Sequence, residues 1–148
     1  RSRRQRQMCI RDSNKKENMR KVIHTENAPK AIGPYSQAIV CNGLIFVSGQ
    51  VPVNPETGEV VSSSFADEVH QVMKNVNAIL AQAGTSINNV VKVTIFLSDM
   101  NNFAELNELY AGYFSSDQYP ARECVQVARL PRDVNVEISV IAQCETKS

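Results

Sequence analysis

From residue 19 onward the hydrophobic positions follow two rhythms, one of period two and one of period 3.6, and their order predicts βββαβαββ. Lys21–Thr25 is a short strand candidate. Gln37–Cys41 and Leu44–Val51 flank Asn42-Gly43, the dipeptide best suited to the left-handed residues of a tight hairpin turn. The segment Pro52–Ser64 is rich in Pro, Gly and Ser and reads as a loop. Phe65, Val69, Val72, Met73, Val76, Ile79, Leu80 and Ala83 then recur at helical spacing, with Ser64 as N-cap, Asp67 and Glu68 in the first turn and Gly84 as the stop. Val90–Ser98 is β-branched and reads as a buried strand. Asp99 or Asn101 caps a second helix striped by Phe103, Leu106, Tyr110, Tyr113 and Phe114. Pro120–Leu130 predicts a strand opened by proline. Val134–Cys144 predicts the last one, with Val134, Val136, Ile138 and Val140 on one face and Asn135, Glu137, Ser139 and Ile141 on the other.

Two helices cover one face of such a sheet. The strands are nonetheless apolar on both faces, with Phe46 beside Val47, Phe96 beside Ile95 and Ile141 beside Val140. The uncovered face therefore needs another apolar surface, and a second copy of the same chain is the expected cover.

Composition narrows the class without naming a chemistry. The chain has 148 residues with 43% hydrophobic and 21% charged, the size of one ordinary domain. It has no apolar run of the ~20 residues a membrane span needs. The net charge of +1 is unevenly spread: residues 1–18 carry +5, so residues 19–148 carry −4 and offer little attraction for nucleic-acid phosphates. The basic stretch 1–18 has no hydrophobic period and is set aside as a disordered or extraneous extension. A mitochondrial presequence and a nucleic-acid arm are the other readings. Residues 19–148 form the single domain. Cys9, Cys41, Cys124 and Cys144 show no C-x-x-C spacing, and His24 and His70 are too few to complete a zinc site. Reduced thiols in the cytoplasm are the default, with the mitochondrial matrix following if the extension is genuine.

No phosphate loop, nucleophile elbow, dinucleotide fingerprint or H-E-x-x-H occurs. The chemistry-bearing candidates are few. Arg122 begins a strand just after Pro120-Ala121, where a guanidinium fork can hold a carboxylate through two parallel hydrogen bonds; a surface or subunit-contact arginine is the plainer reading. Glu137 lies mid-strand on the face away from Val136 and Ile138. If another subunit covers that face, its pKa rises toward values useful in acid–base work. Tyr35 follows a Gly-Pro turn, Ser48-Gly49 interrupts an apolar strand as a bulge or close approach, and Cys124 shares the strand face of Arg122. Both histidines read as half-exposed surface residues.

Ala31-Ile32-Gly33-Pro34-Tyr35-Ser36-Gln37-Ala38, Val47-Ser48-Gly49-Gln50-Val51-Pro52, Ala121-Arg122-Glu123-Cys124-Val125 and Ala128-Arg129-Leu130-Pro131 together resemble the Rid family, the YjgF-like or liver perchloric-acid-soluble proteins. The resemblance runs from residue 19 to about 144 and is strongest to the 2-iminobutanoate/2-iminopropanoate deaminases. It implies an α+β, chorismate-mutase-like fold: a mixed sheet of about six strands with two helices on one face. It also implies a homotrimer with active sites between subunits, and a cofactor-free, metal-free reaction. Enamines and imines released by pyridoxal-phosphate dehydratases would be hydrolysed to 2-oxo acids and ammonia, a form of metabolite damage control. By position, Arg122 would pair with the substrate carboxylate and Glu137 would position or activate water. Tyr35, Ser48, Gly49, Asn107 and the backbone at Cys124 would line the pocket. Endoribonuclease or translation-inhibitor activity, and a non-enzymatic trimer binding small carboxylates, are the alternatives.

Overall fold

The computed structural model describes residues 19–145, and their elements come in the expected order. The extension 1–18 lies outside the described residues. The strands are β1 (Lys21–Ile23), β2 (Ala38–Cys41), β3 (Leu44–Gln50), β4 (Val90–Leu97), β5 (Ala121–Gln126) and β6 (Val136–Gln143). The helices are α1 (Phe65–Gln82), between β3 and β4, and α2 (Phe103–Ala111), between β4 and β5. The sheet order is β1-β2-β3-β6-β4-β5. β6 runs antiparallel to both of its neighbours, so β3 and β4 are parallel to each other, while β4 and β5 pair in parallel directly. Parallel strands need a crossover, and α1 and α2 are those two connections.

Local sequence explains most of the boundaries. Asn42 and Gly43 adopt φ of 54° and 78° and close the β2–β3 hairpin. Ser64 caps α1 by accepting from the Asp67 N–H at 3.0 Å. Gly84, at φ 81°, supplies the left-handed residue that ends it. The apolar stripe of α1, with Val72, Val76, Ile79 and Leu80 fully buried, packs across β3 and β6 and meets Ile45, Ile95 and Ile138. Full burial contributes roughly 1.5–3 kcal/mol for each such side chain, so this seam holds the helix to the sheet.

Most strand ends fall within two residues of expectation, β1 closing at Ile23 instead of Thr25, and three boundaries bear on the site. β5 ends at Gln126, short of Leu130, because it is an edge strand whose neighbour β4 ends at Leu97; Val127 makes the last backbone bond, to the Leu97 carbonyl at 2.9 Å. The chain then turns through Arg132 and Asp133, both left-handed at φ of 58° and 56°, so β6 begins at Val136 instead of Val134. α2 ends at Ala111, which leaves Tyr113 and Phe114 beyond the helix, packed against the core.

Both helices lie on one face, as expected. The other face shows Phe46 and Val125 exposed, Phe96 and Ile141 half-buried, and a Lys92–Glu123 ion pair at 3.6 Å. No helix among the described residues is long and apolar enough to cross a membrane.

Candidate functional site

All the candidate residues but Cys124 fall into two clefts on opposite faces of the sheet. On β4, Val93 and Ile95 belong to the helix-covered core. The β4–β5 register sets Arg122 beside Val93 and Cys124 beside Ile95, so both side chains belong to the helix side. The β4–β6 register sets Glu137 beside Phe96, on the open side.

The open-face cleft, of about 450 Å³, is built around a fault in β3. The β3–β6 pairing is regular to Val47 and shifts before Gln50, which leaves Ser48 and Gly49 in a bulge. Ser48 is tied down there: its hydroxyl donates to the Ser36 carbonyl at 2.6 Å and its N–H to that of Gln37 at 2.9 Å. Gly49 faces Glu137 so closely that a Cβ at this position would stand 2.8 Å from the glutamate Cδ. Glycine thus clears the space the carboxylate occupies. Burial pushes the Glu137 carboxyl above its ordinary value. Tyr35, exposed beyond the Gly33 turn, shares this cleft, and Ile32, Val51 and Pro131 form its apolar walls. Pro131 belongs to the turn braced from α1. The buried Glu68 carboxylate accepts from the Asn135 N–H at 3.1 Å and from its side-chain amide at 2.7 Å.

The helix-side cleft, of about 330 Å³, lies between α2 and β5. Asn107, Tyr110 and Ala111 reach it together because positions i, i+3 and i+4 share a helical face. Tyr119, Pro120 and Arg122 form the other wall. The guanidinium carbon of Arg122 lies 4.8 Å from the Tyr110 ring centroid and 5.7 Å from that of Phe103. Among the described residues no carboxylate pairs with Arg122. Cys124 shares the arginine's face but lines neither cleft, and burial pushes its thiol up despite the opposing pull of Arg122.

One chain therefore gathers Tyr35, Ser48, Gly49 and Glu137, and separately Arg122 and Asn107. It does not bring Arg122 to Glu137, so a pocket shared by all of them is not formed within a single chain. Both histidines lie at the surface, and the Nδ1 of His70 is hydrogen-bonded to the Tyr113 hydroxyl. The sequence reading did not select Tyr110, Tyr119, Val51, Pro131 or Glu68. The i, i+3 spacing of Asn107 and Tyr110 was a usable signal for one of them. The others depend on strand order and loop path.

A family model described as Endoribonuclease L-PSP matches residues 25–144. A RutC family protein of Pyrococcus horikoshii is 54% identical over 127 residues, covering 86% of this chain and all of that protein. A 2-iminobutanoate/2-iminopropanoate deaminase of Escherichia coli is 48% identical over 126 residues, covering 84% of this chain and 98% of that protein. The crystal structure of Escherichia coli TdcF with bound serine superposes with a TM-score of 0.79 at 44% identity, covering 84% of this chain and 99% of that one.

Proposed function

The chain belongs to the endoribonuclease L-PSP family, the Rid or YjgF-like proteins, and on that premise we propose that it hydrolyses the imine and enamine counterparts of small 2-oxo acids. The substrates would be 2-iminobutanoate and 2-iminopropanoate, and the products 2-oxo acids and ammonia. The observation that carries this reading is Arg122: a cation seated on aromatic faces in a cleft, with no carboxylate partner among the described residues. The relatives support it, one being named for this reaction and another holding serine, a small molecule with a carboxylate and an amino group.

The chemistry asks little of the protein. The iminium carbon is already electrophilic, so strong activation of the nucleophile is unnecessary. Arg122 holds the substrate carboxylate through a bidentate pair, and this fixes the carbon against a water at Glu137. Glu137 takes a proton from that water as the C–O bond forms, giving a tetrahedral carbinolamine. It returns the proton to nitrogen, the oxygen lone pair closes the carbonyl as the C–N bond breaks, and the hydroxyl proton passes to the departing ammonia, which leaves as ammonium. A half-buried carboxylate with a raised pKa suits both transfers.

Because Arg122 and Glu137 lie on opposite faces of one sheet, the proposed reaction needs them from different chains. We propose a homotrimer whose subunits cover the open sheet face and set the Glu137 cleft of one chain against the Arg122 cleft of the next. The exposed Phe46 and Val125, together with the half-buried Phe96 and Ile141, supply apolar area for that contact.

The test is a coupled assay in which a serine or threonine dehydratase, a pyridoxal-phosphate enzyme, generates the imine in situ. The protein is expected to speed 2-oxo acid release beyond the spontaneous rate. Absence of acceleration by folded protein would overturn the reading. Parallel incubation with single-stranded RNA tests the ribonuclease alternative, which the −4 charge of residues 19–148 does little to support.

A further inference from the structure

We infer that Tyr110 is a positioning residue for the carboxylate anchor, its ring face seating the Arg122 guanidinium while its hydroxyl takes no part. The inference rests on the deaminase reading for the identity of the ligand, but its geometry stands apart from that reading. Tyr110 is 5% exposed, and its hydroxyl oxygen is buried without a hydrogen-bond partner among the described residues. An orphaned buried hydroxyl is destabilising, so whatever this side chain supplies comes from its ring.

The ring packs against Phe114, whose centroid is 4.6 Å away, and offers its face to Arg122 at 4.8 Å. Phe103, one helical turn from Asn107 on α2, adds a second ring at 5.7 Å. With no carboxylate pair among the described residues, the guanidinium takes its support from these two aromatic faces. A guanidinium lying over a ring presents its N–H groups at its edge, the arrangement a carboxylate fork requires. The hydroxyl, pushed up to about 12, stays neutral across the working range and adds no charge beside the anchor.

The test compares Tyr110→Leu, Tyr110→Phe and Phe103→Leu with wild type in two measurements: the Kd for 2-oxobutanoate by titration calorimetry, and KM and kcat in the coupled assay. Tyr110→Leu is expected to raise Kd and KM about tenfold, the scale of a partly desolvated cation–π contact, with kcat changing less. Tyr110→Phe is expected to match wild type in Kd, KM and pH profile. Phe103→Leu should shift Kd in the same direction by less, because its ring is farther away. A merely structural role would instead lower kcat through a smaller folded fraction and leave KM unchanged. Wild-type Kd and KM in Tyr110→Leu, or a Tyr110→Phe as impaired as the leucine variant, would overturn the inference. If Tyr110→Leu does not fold, wild-type KM in Phe103→Leu overturns it. Wild-type binding of 2-oxobutanoate without imine hydrolysis would remove the deaminase reading and leave the positioning inference standing on Kd. Failure of wild type to bind 2-oxobutanoate would remove the anchor itself, and the inference with it.

Discussion

In the helix-side cleft a guanidinium rests on aromatic faces, with no carboxylate partner among the described residues. In the open-face cleft a carboxylate is pressed onto a glycine and held toward its protonated form. The two groups would make a natural ion pair, yet the period-two geometry of the sheet points them in opposite directions. In the proposed reaction each is one half: Arg122 the cation for the carboxylate, and Glu137 the base for the water. On the proposed reading, both halves of the chemistry are carried by one short chain and meet only between two copies.

The largest effect is expected from emptying the helix-side cleft. Arg122→Ala removes a bidentate charged pair, and kcat/KM should fall about 10³-fold with the fold unchanged; wild-type turnover would break the anchor role. Removing the base comes next. Glu137→Gln should lower kcat about 10²-fold while 2-oxobutanoate still binds, which separates an enzyme from a carboxylate-binding module. Gly49→Ala tests the close approach. Its Cβ would drive the Glu137 carboxylate aside, and about tenfold in kcat is expected, the scale of a sub-ångström misplacement.

The smallest effect is on stability against pH. Burial raises the Glu137 pKa in the folded chain, so the folded state keeps this proton to higher pH than the unfolded state does. The favourable contribution is present below the 4.5 of a free glutamate and is lost as pH rises through the raised folded value. Glu137→Gln should therefore be at least as stable as wild type at pH 7, with its advantage shrinking as pH falls. Thermal melts across that range check the sign. For the same reason the acidic limb of the kcat/KM profile should lie above 4.5 in wild type.

The element order and the core of α1 were legible because their signals are local: Ser64 and Gly84 bracket an apolar stripe, and Asn42-Gly43 closes a hairpin. The end of β5 was not. Val125 and Val127 continue the strand pattern, and only the length of the neighbouring β4 stops the pairing. The site was legible residue by residue and illegible as an arrangement. Arg122 and Glu137 carry their chemistry in their side chains, and Glu137 could be assigned to the face away from Val136 and Ile138. Which face Arg122 occupies depends on the parallel β4–β5 register, a long-range pairing that no local pattern encodes. Tyr110 read as core because burial and ring stacking leave the same periodic trace.

Whether one working site takes Arg122 from one chain and Glu137 from another is decided by mixing two inactive variants. Arg122→Ala and Glu137→Gln chains are co-unfolded and refolded together, mixed oligomers are verified by mass, and imine hydrolysis is measured. Random assortment around a closed ring gives about a quarter of sites both intact groups, so about a quarter of wild-type activity should return. Mixed oligomers no more active than either variant alone would contradict the claim.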